Sequence, residues 1–355
     1  MITEEQVLQA LRGVQDPELH RNLVELGMVH DVKIENSRVQ FTLALTTMAC
    51  PLKDKIVADA KAAVMALDGV QEVEVQLREM TAEEKKRILP PQQQGTAEQF
   101  NDIKKVIAVM SGKGGVGKSL VAGLLAVSLR RQGYQVGILD ADITGPSIPK
   151  MFFPTLPRPK GSPLGIVPVE SKGGIRIMSI NLLLPHEDDA VIWRGPLISG
   201  AIKQFWGDVF WGKLDFLIVD LPPGTSDAAL TVMQSLPVSG VVLVTSPQSL
   251  AEMVVKKAAQ MALKMEVPLL GLIENMSYVV CPDGTKMEIF GPSRAETMAA
   301  QLGVPLLGRL PIVPQLTELC DTGRIEEYQA EEFVSIAKQV AETAPQARRP
   351  LFLNV

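Results

Sequence analysis

The chain has 355 residues, 46% hydrophobic and 21% charged, with a formal net charge of −5, which suits two or three folded domains. A mildly acidic chain without a long basic run argues against nucleic-acid or anionic-membrane binding through electrostatics, and three cysteines (Cys50, Cys281, Cys320) are no disulfide framework. No apolar run approaches membrane-spanning length, and the start MITEEQVLQALRGVQ carries acidic residues rather than a signal-peptide pattern, so a cytoplasmic protein is the expectation.

In chain order, residues 3–15 have helical spacing, VHDVKIE and RVQFTLAL alternate like a hairpin, PLKDKIVADAKAAVMAL is an amphipathic helix and VQEVEVQL a last strand. Residues 1–80 are thus expected to form a small α+β domain. Cys50 precedes the second helix. Two readings of it stand: a thiolate favoured by helix-end N–H groups, or a buried, inert thiol. Residues 81–102 are polar, include Pro90, Pro91 and a glutamine run, and read as a linker.

From residue 103 to 355 the apolar runs VIAVM, YQVGILD, LDFLIVD, GVVLVTS, LLGLIEN and LLGRL are spaced by helical or loop segments. This pattern predicts an α/β domain with a mostly parallel sheet flanked by helices, its ligands gathered at the carboxyl ends of the strands. FFPTLPRPKGSPLGIVPVE, rich in proline and glycine, reads as a mobile excursion. His20, His30 and His186 lack metal-ligand spacing, Met253, Met261 and Met265 fall at helical spacing as packing residues, and Arg194 in WRGP is a candidate phosphate or interface contact.

The chemistry centres on VMSGKGGVGKSL, residues 109–120, which fits G-x-x-x-x-G-K-[ST] between a predicted strand and a predicted helix. Gly112, Gly114, Gly115, Val116 and Gly117 supply inward-turned backbone N–H groups. Lys118 adds a point charge, and Ser119 a hydroxyl for magnesium. Asp220 ends LDFLIVD, where a carboxylate can hold the same metal through water. Gly224, in the following turn, is a candidate γ-phosphate sensor. VGILDAD delivers Asp140 and Asp142 to the same edge. Each is either a cap for the next segment or, for Asp142, the carboxylate that orients the attacking water.

With its extra lysine, SGKGGVGKS resembles the deviant Walker A ATPases, the group of the MinD, ParA and Mrp/ApbC proteins. That resemblance implies that Lys118 serves its own nucleotide while Lys113 reaches the partner's phosphates across a homodimer. Extra positive charge there offsets repulsion between two facing triphosphates. LDADITGPSIPKMF, WRGPL, WGKLDFLIVDLPPGTSD, VTSPQSLA and IENMSY are most similar to the Mrp/ApbC branch of iron–sulfur cluster carriers. The branch implies that Asn275 contacts the base and that the segment around Pro311 walls it. It also implies slow Mg2+-dependent ATP hydrolysis, apo iron–sulfur clients and assembly factors as partners, and a [4Fe-4S] cluster as cargo, with no nucleic acid or membrane.

DPEL, LVELGMVHDV and LTTMACPLKD, with Asp16, Glu25, Thr46 and Cys50, resemble the small iron–sulfur assembly domain often fused ahead of these ATPases; Glu25 replaces its usual aspartate. The branch carries a C-x-x-C after NMSY, whose two copies bridge the cluster. Here VVCPDGTKMEIFG keeps Cys281 but has Gly284 in the second place, so two subunits offer two thiolates, and Cys320, Asp283, a partner's thiol or a small-molecule thiol would have to complete the set. The alternatives are a ParA/MinD-like positioning switch, or an ATPase adaptor that has lost cluster binding.

Overall fold

The computed structural model describes residues 2–15, 21–35, 37–45, 53–81, 84, 97–186, 189, 191, 193 and 195–347. Asp16, His20, Thr46, Cys50, Arg194 and most of the expected linker lie outside the described residues. The chain divides into two compact units, Met1–Gln93 and Gln94–Val355.

In the first unit, α1 (Glu4–Leu11) starts at a capping box: the Gln6 N–H donates to Thr3 Oγ1 at 3.3 Å and the Thr3 N–H to Gln6 Oε1 at 3.0 Å, satisfying two of the donors that a helix start leaves open. β1 (Val29–Glu35) and β2 (Arg38–Leu45) pair antiparallel, α2 (Lys53–Met65) crosses over, and β3 (Glu72–Glu79) returns parallel to β2. Val7, Leu11, Phe41, Leu43, Ile56, Ala60 and Val64 form the core between helices and sheet.

The second unit runs β4 (Asp102–Ser111), α3 (Lys118–Arg131), β5 (Val136–Asp140), α4 (Ile148–Phe152), β6 (Lys160–Ser162), β7 (Gly165–Val167), β8 (Val169–Glu170), β9 (Arg176–Met178), α5 (Gly195–Gly207) and β10 (Lys213–Asp220). It continues with α6 (Asp227–Ser235), β11 (Gly240–Thr245), α7 (Ser249–Lys264), β12 (Leu269–Val280), β13 (Lys286–Met287), α8 (Ala295–Leu302), β14 (Leu306–Pro311), α9 (Pro314–Asp321) and α10 (Glu332–Thr343). Among the described residues the main sheet has nine strands in the order β13-β12-β11-β4-β10-β5-β9-β8, with β14 paired to β12. β13 and β8 are antiparallel to their neighbours and the other pairings are parallel.

β4 shows why the apolar runs read as doubly buried strands. Ile107 and Val109 pack on one face with α3 and α10, whereas Val106, Ala108 and Met110 pack on the other with α5 to α8. Alternation persists, but both faces are apolar. The chain leaves β4 toward β10 and β5 on one side and later fills β11 and β12 on the other. The order therefore reverses at β4, and a crevice opens at its carboxyl end.

Two stretches differ from the sequence reading. The run LLGLIEN continues as strand to Val280 because Met276 takes a left-handed φ of +57° and the chain then pairs with β13. The proline-rich excursion is built structure. β6 and β7 form a hairpin whose turn is closed by Ser162 Oγ donating to Gly165 O at 2.8 Å, β8 joins the sheet edge, and Arg158 donates to the carbonyls of Leu182, Leu184 and Pro185. Strands of two or three residues are too short for a periodicity signal. Among the described residues no helix is long and apolar enough to cross a membrane.

Leu125 is fully buried between α3 and the sheet. Leu125→Ala should cost about 2–5 kcal/mol of stability, against about 0.5–1.5 kcal/mol for Ile218→Val in the same cluster, as read from urea midpoints at unchanged m-value.

Candidate nucleotide site

The loop between β4 and α3 is shaped by what its glycines leave out. At Gly112 a Cβ would lie 2.4 Å from the backbone of Val254 and Val255, so the loop rests on α7 only because position 112 has no side chain. Gly115 and Gly117 take φ of +78° and +76°, and Gly117 is the N-cap of α3. Asn275 pins this end: its Nδ2 donates to Val116 O at 2.9 Å and lies where a Gly117 Cβ would fall, 2.2 Å away. Among the described hydrogen bonds none has the N–H of Lys113, Gly114, Gly115, Val116 or Gly117 as donor. These groups, with the positive end of α3 behind them, form a cradle for an anion.

Under the cradle lies a cluster of charge. Lys118 is 6% exposed and ion-paired to Asp220, which is 0% exposed; Lys118 Nζ also donates to Ser119 Oγ at 3.2 Å. The other oxygen of Asp220, Oδ2, is buried without a hydrogen-bond partner. β10 and β5 run in register so that Asp220 pairs with Asp140. Asp140 accepts from the N–H groups of Asp142, Ser147 and Ile148 and from Ser179 Oγ, all at 3.1–3.2 Å. Its role is to hold the turn into α4, the capping reading of that residue. Burial first, and Asp220 second, push the Asp140 carboxyl up to about 8. Burial pushes Asp220 upward as well, against the pull of Lys118. Asp142 is half-buried, and its Oδ1 accepts from Thr144 Oγ1 and Gly145 N–H at 3.1 and 3.2 Å.

Magnesium fits this donor set. Ser119 and Asp220 are hard oxygen ligands side by side, and the unpartnered Asp220 Oδ2 is a buried acceptor suited to a metal-bound water. A divalent cation there would also favour the ionised carboxylates against the burial that pushes both carboxyls up.

Lys113 stands at the outer lip of the loop, its Nζ donating to Gln248 Oε1, the N-cap residue of α7. Gly224, at φ +78°, has its N–H bonded to Ser111 O at 2.9 Å, so reaching a phosphate requires that bond to open. Met253 is 59% exposed while Met261 and Met265 pack against the core. A cavity of about 230 Å³ adjoins the loop, and Asn275 and Pro311 both line it, as do Met276, Val313, Tyr328 and Glu332. Tyr328 and Glu332 were not legible in the sequence, since they belong to no local motif, and Gln248 lay within VTSPQSLA without a role assigned to it; the left-handed Met276 next to Asn275 marks the site only in three dimensions.

Cys281 lies elsewhere, six residues past Asn275 and beyond the left-handed bend at Met276, at the β12–β13 turn. Its N–H donates to Thr285 O, Gly284 N–H donates to Cys281 O, and Asp283 Oδ1 accepts from Thr285 N–H and Oγ1. Those bonds hold the exposed Asp283 carboxyl below its usual range. Gly284 has φ +84°, so the second cysteine position is occupied by the residue whose left-handed backbone closes the turn. Cys320 does not join Cys281. It lines the cavity beside the loop, where burial and Asp321 push its thiol up to about 11. Among the described residues no group of three or more His, Cys, Asp or Glu is placed to hold a metal.

Comparison with known proteins gives a consistent picture. The family described as NUBPL iron-transfer P-loop NTPase matches residues 102–344, and a family of iron-sulfur cluster assembly proteins matches residues 4–76. A Synechocystis protein named iron-sulfur cluster carrier protein is 44% identical over 96% of this chain and 98% of its own length, and an Aquifex aeolicus protein of the same name is 38% identical over 95% and 97%. A nucleotide-binding protein from Archaeoglobus fulgidus, solved in complex with ADP, is 45% identical over 65% of this chain and 91% of its own, with a TM-score of 0.59. The cell division ATPase MinD of Pyrococcus furiosus, at 22% identity and a TM-score of 0.50 over 68% of this chain and 99% of its own, shares the fold.

Gly112→Ala forces loop and α7 apart and should lower stability by about 1–3 kcal/mol. Gly114→Ala meets nothing closer than Pro223 Cγ at 3.9 Å and should stay within about 0.5 kcal/mol of wild type. Thermal unfolding of both variants checks the pair.

Proposed function

The chain belongs to the NUBPL iron-transfer P-loop NTPase family, and from that premise we propose that it is a homodimeric, magnesium-dependent and slow ATP hydrolase of the cytoplasm that carries iron–sulfur clusters to apoproteins. The observation that carries the nucleotide part is the buried Lys118–Asp220 pair, with an unpartnered carboxylate oxygen, beneath five backbone N–H groups that have no described acceptor. In this reading residues 1–80 form an assembly-type domain, 81–102 a linker and 103–355 the ATPase.

The N–H groups of residues 113–117 receive the phosphates, and Lys118 turns from Asp220 toward them. Ser119 and Asp220 would hold magnesium, which would supply positive charge against the charge developing on the transferred phosphoryl group. Asp142, with Oδ1 engaged by Thr144 and Gly145, orients the attacking water through its other oxygen. Lys113 leaves Gln248 and reaches the partner's triphosphate as the dimer closes, and Gly224 exchanges Ser111 O for the γ-phosphate. Asn275 and Pro311 hold the base, the Asn275 amide being fixed in place by the bond from its Nδ2 to Val116 O.

For cargo, Cys281 is the thiol offered at the turn, flanked by Val280 and Met287, both more than half exposed. Two copies supply two thiolates where a [4Fe-4S] cluster takes four, so the remaining ligands come from another chain or a small-molecule thiol. The assembly-type domain matched at residues 4–76 supports the carrier role over a positioning switch. The second reading, an ATPase adaptor without cargo, draws on Gly284 in the turn.

Lys118→Ala should abolish ATP binding in equilibrium titration. Lys113→Ala should bind ATP but turn over roughly 10²-fold more slowly; equal turnover by wild type and both variants would remove these roles. Anaerobic reconstitution with iron and sulfide should give charge-transfer absorbance that falls in Cys281→Ser, and its absence in wild type would favour the adaptor.

A further inference from the structure

β12 and β14 fall out of step beside the cavity. Glu274 pairs with Arg309 and Tyr278 with Pro311, so Asn275, Met276 and Ser277 stand opposite Leu310 alone. The extra length is a bulge. It turns Asn275 to the phosphate loop, where its Nδ2 donates to Val116 O, and it places Met276 at a left-handed φ of +57°. A residue other than glycine keeps that conformation only where its surroundings over-determine it. Here Arg309 closes the base of the bulge. Its Nε donates to Ser277 Oγ at 2.9 Å and lies 3.4 Å from Glu274 Oε2, and Ser277 Oγ donates to that same carboxylate oxygen. Glu274 and Ser277 are buried, and Arg309 is the cation described for Glu274.

The same guanidinium has an outer arm. Its Nη2 donates to Glu288 Oε1 at 2.6 Å, and Glu288 follows β13, the strand that returns from the Cys281 turn and pairs Lys286 with Val280 and Met287 with Val279. Lys286 Nζ also lies 4.4 Å from the centre of the Tyr278 ring, so the hairpin has a hold of its own besides Glu288. One planar fork thus joins both ends of the bulge to the far strand of the thiol turn, a geometry that a lysine's point charge does not reproduce. Asn275 and Met276 line the cavity. We propose that Arg309 is a positioning residue that holds the cavity wall and the Cys281 turn in one arrangement, so that a nucleotide bound against the wall steadies the turn.

This inference rests on the reading that a nucleotide occupies that cavity. Magnesium ADP is the probe, since in that reading dimer closure involves the triphosphate. The measurement is amide hydrogen exchange from Val279 to Met287 in the full chain, with and without the probe. In wild type, ADP should slow exchange there roughly fivefold or more. Glu288→Ala, an exposed change outside the cavity, should bind ADP as wild type does and lose the slowing. Arg309→Lys keeps a cation for Glu274 but not the fork; it should lose the slowing and, with the bulge loosened around Asn275, bind ADP roughly tenfold more weakly. Failure of wild type to bind ADP in equilibrium titration overturns the nucleotide reading and this inference with it. Binding without slowing in wild type, or slowing that survives in either variant, overturns the role of Arg309 and leaves the nucleotide reading standing.

Discussion

The site is organised by one buried ion pair, Lys118 with Asp220. Two charges withdrawn from water are tolerated only if each compensates the other, and losing either partner strands a charge in a low-dielectric interior. The pair fixes more than itself. It ties the first residue of α3 to the last residue of β10, so the loop between β4 and α3 is clamped at its helical end to the neighbouring strand. Asp140 adds a second buried carboxyl in register and Asp142 a third acid nearby. Burial disfavours charge on Asp140, so the ammonium balances Asp220, and a cation entering the crevice would favour ionisation of both carboxyls.

The sheet explains why these residues meet. The strand order reverses around β4, so the ends of β5, β10 and β4 open onto one crevice while β12 approaches from the other side with Asn275. The carboxylates come from the strands, the anion cradle from the loop, and the neighbouring cavity from β12, β14 and the helices α3, α9 and α10. The carboxylates and the cradle sit at strand ends and a helix start, the places where backbone groups remain available.

Much of this was legible in the sequence because it is local. The loop motif, the apolar runs and the terminal aspartates declare themselves within a dozen residues, and doubly buried strands such as β4 need only a continuous apolar string. What escaped is long-range or conformational. Lys113 meets Gln248 across 135 positions and Asn275 reaches Val116 across 159, distances over which no pattern operates. The bend at Met276 is a left-handed backbone at a residue type that does not advertise it. Conversely, Gly284 was visible as a missing cysteine, but its turn-closing φ emerged only from the fold.

β12 has a mechanical meaning beyond its place in the sheet. The middle of this strand holds the loop through Asn275, the next residue, Met276, takes the left-handed bend, and the carboxyl end carries the Cys281 turn. The residue that pins the loop and the residue that bends the strand are therefore neighbours, and the Cys281 turn hangs from the segment beyond them. Were binding at the loop to bias the Cys281 turn through this strand, thermodynamic reciprocity would require an equal bias in return.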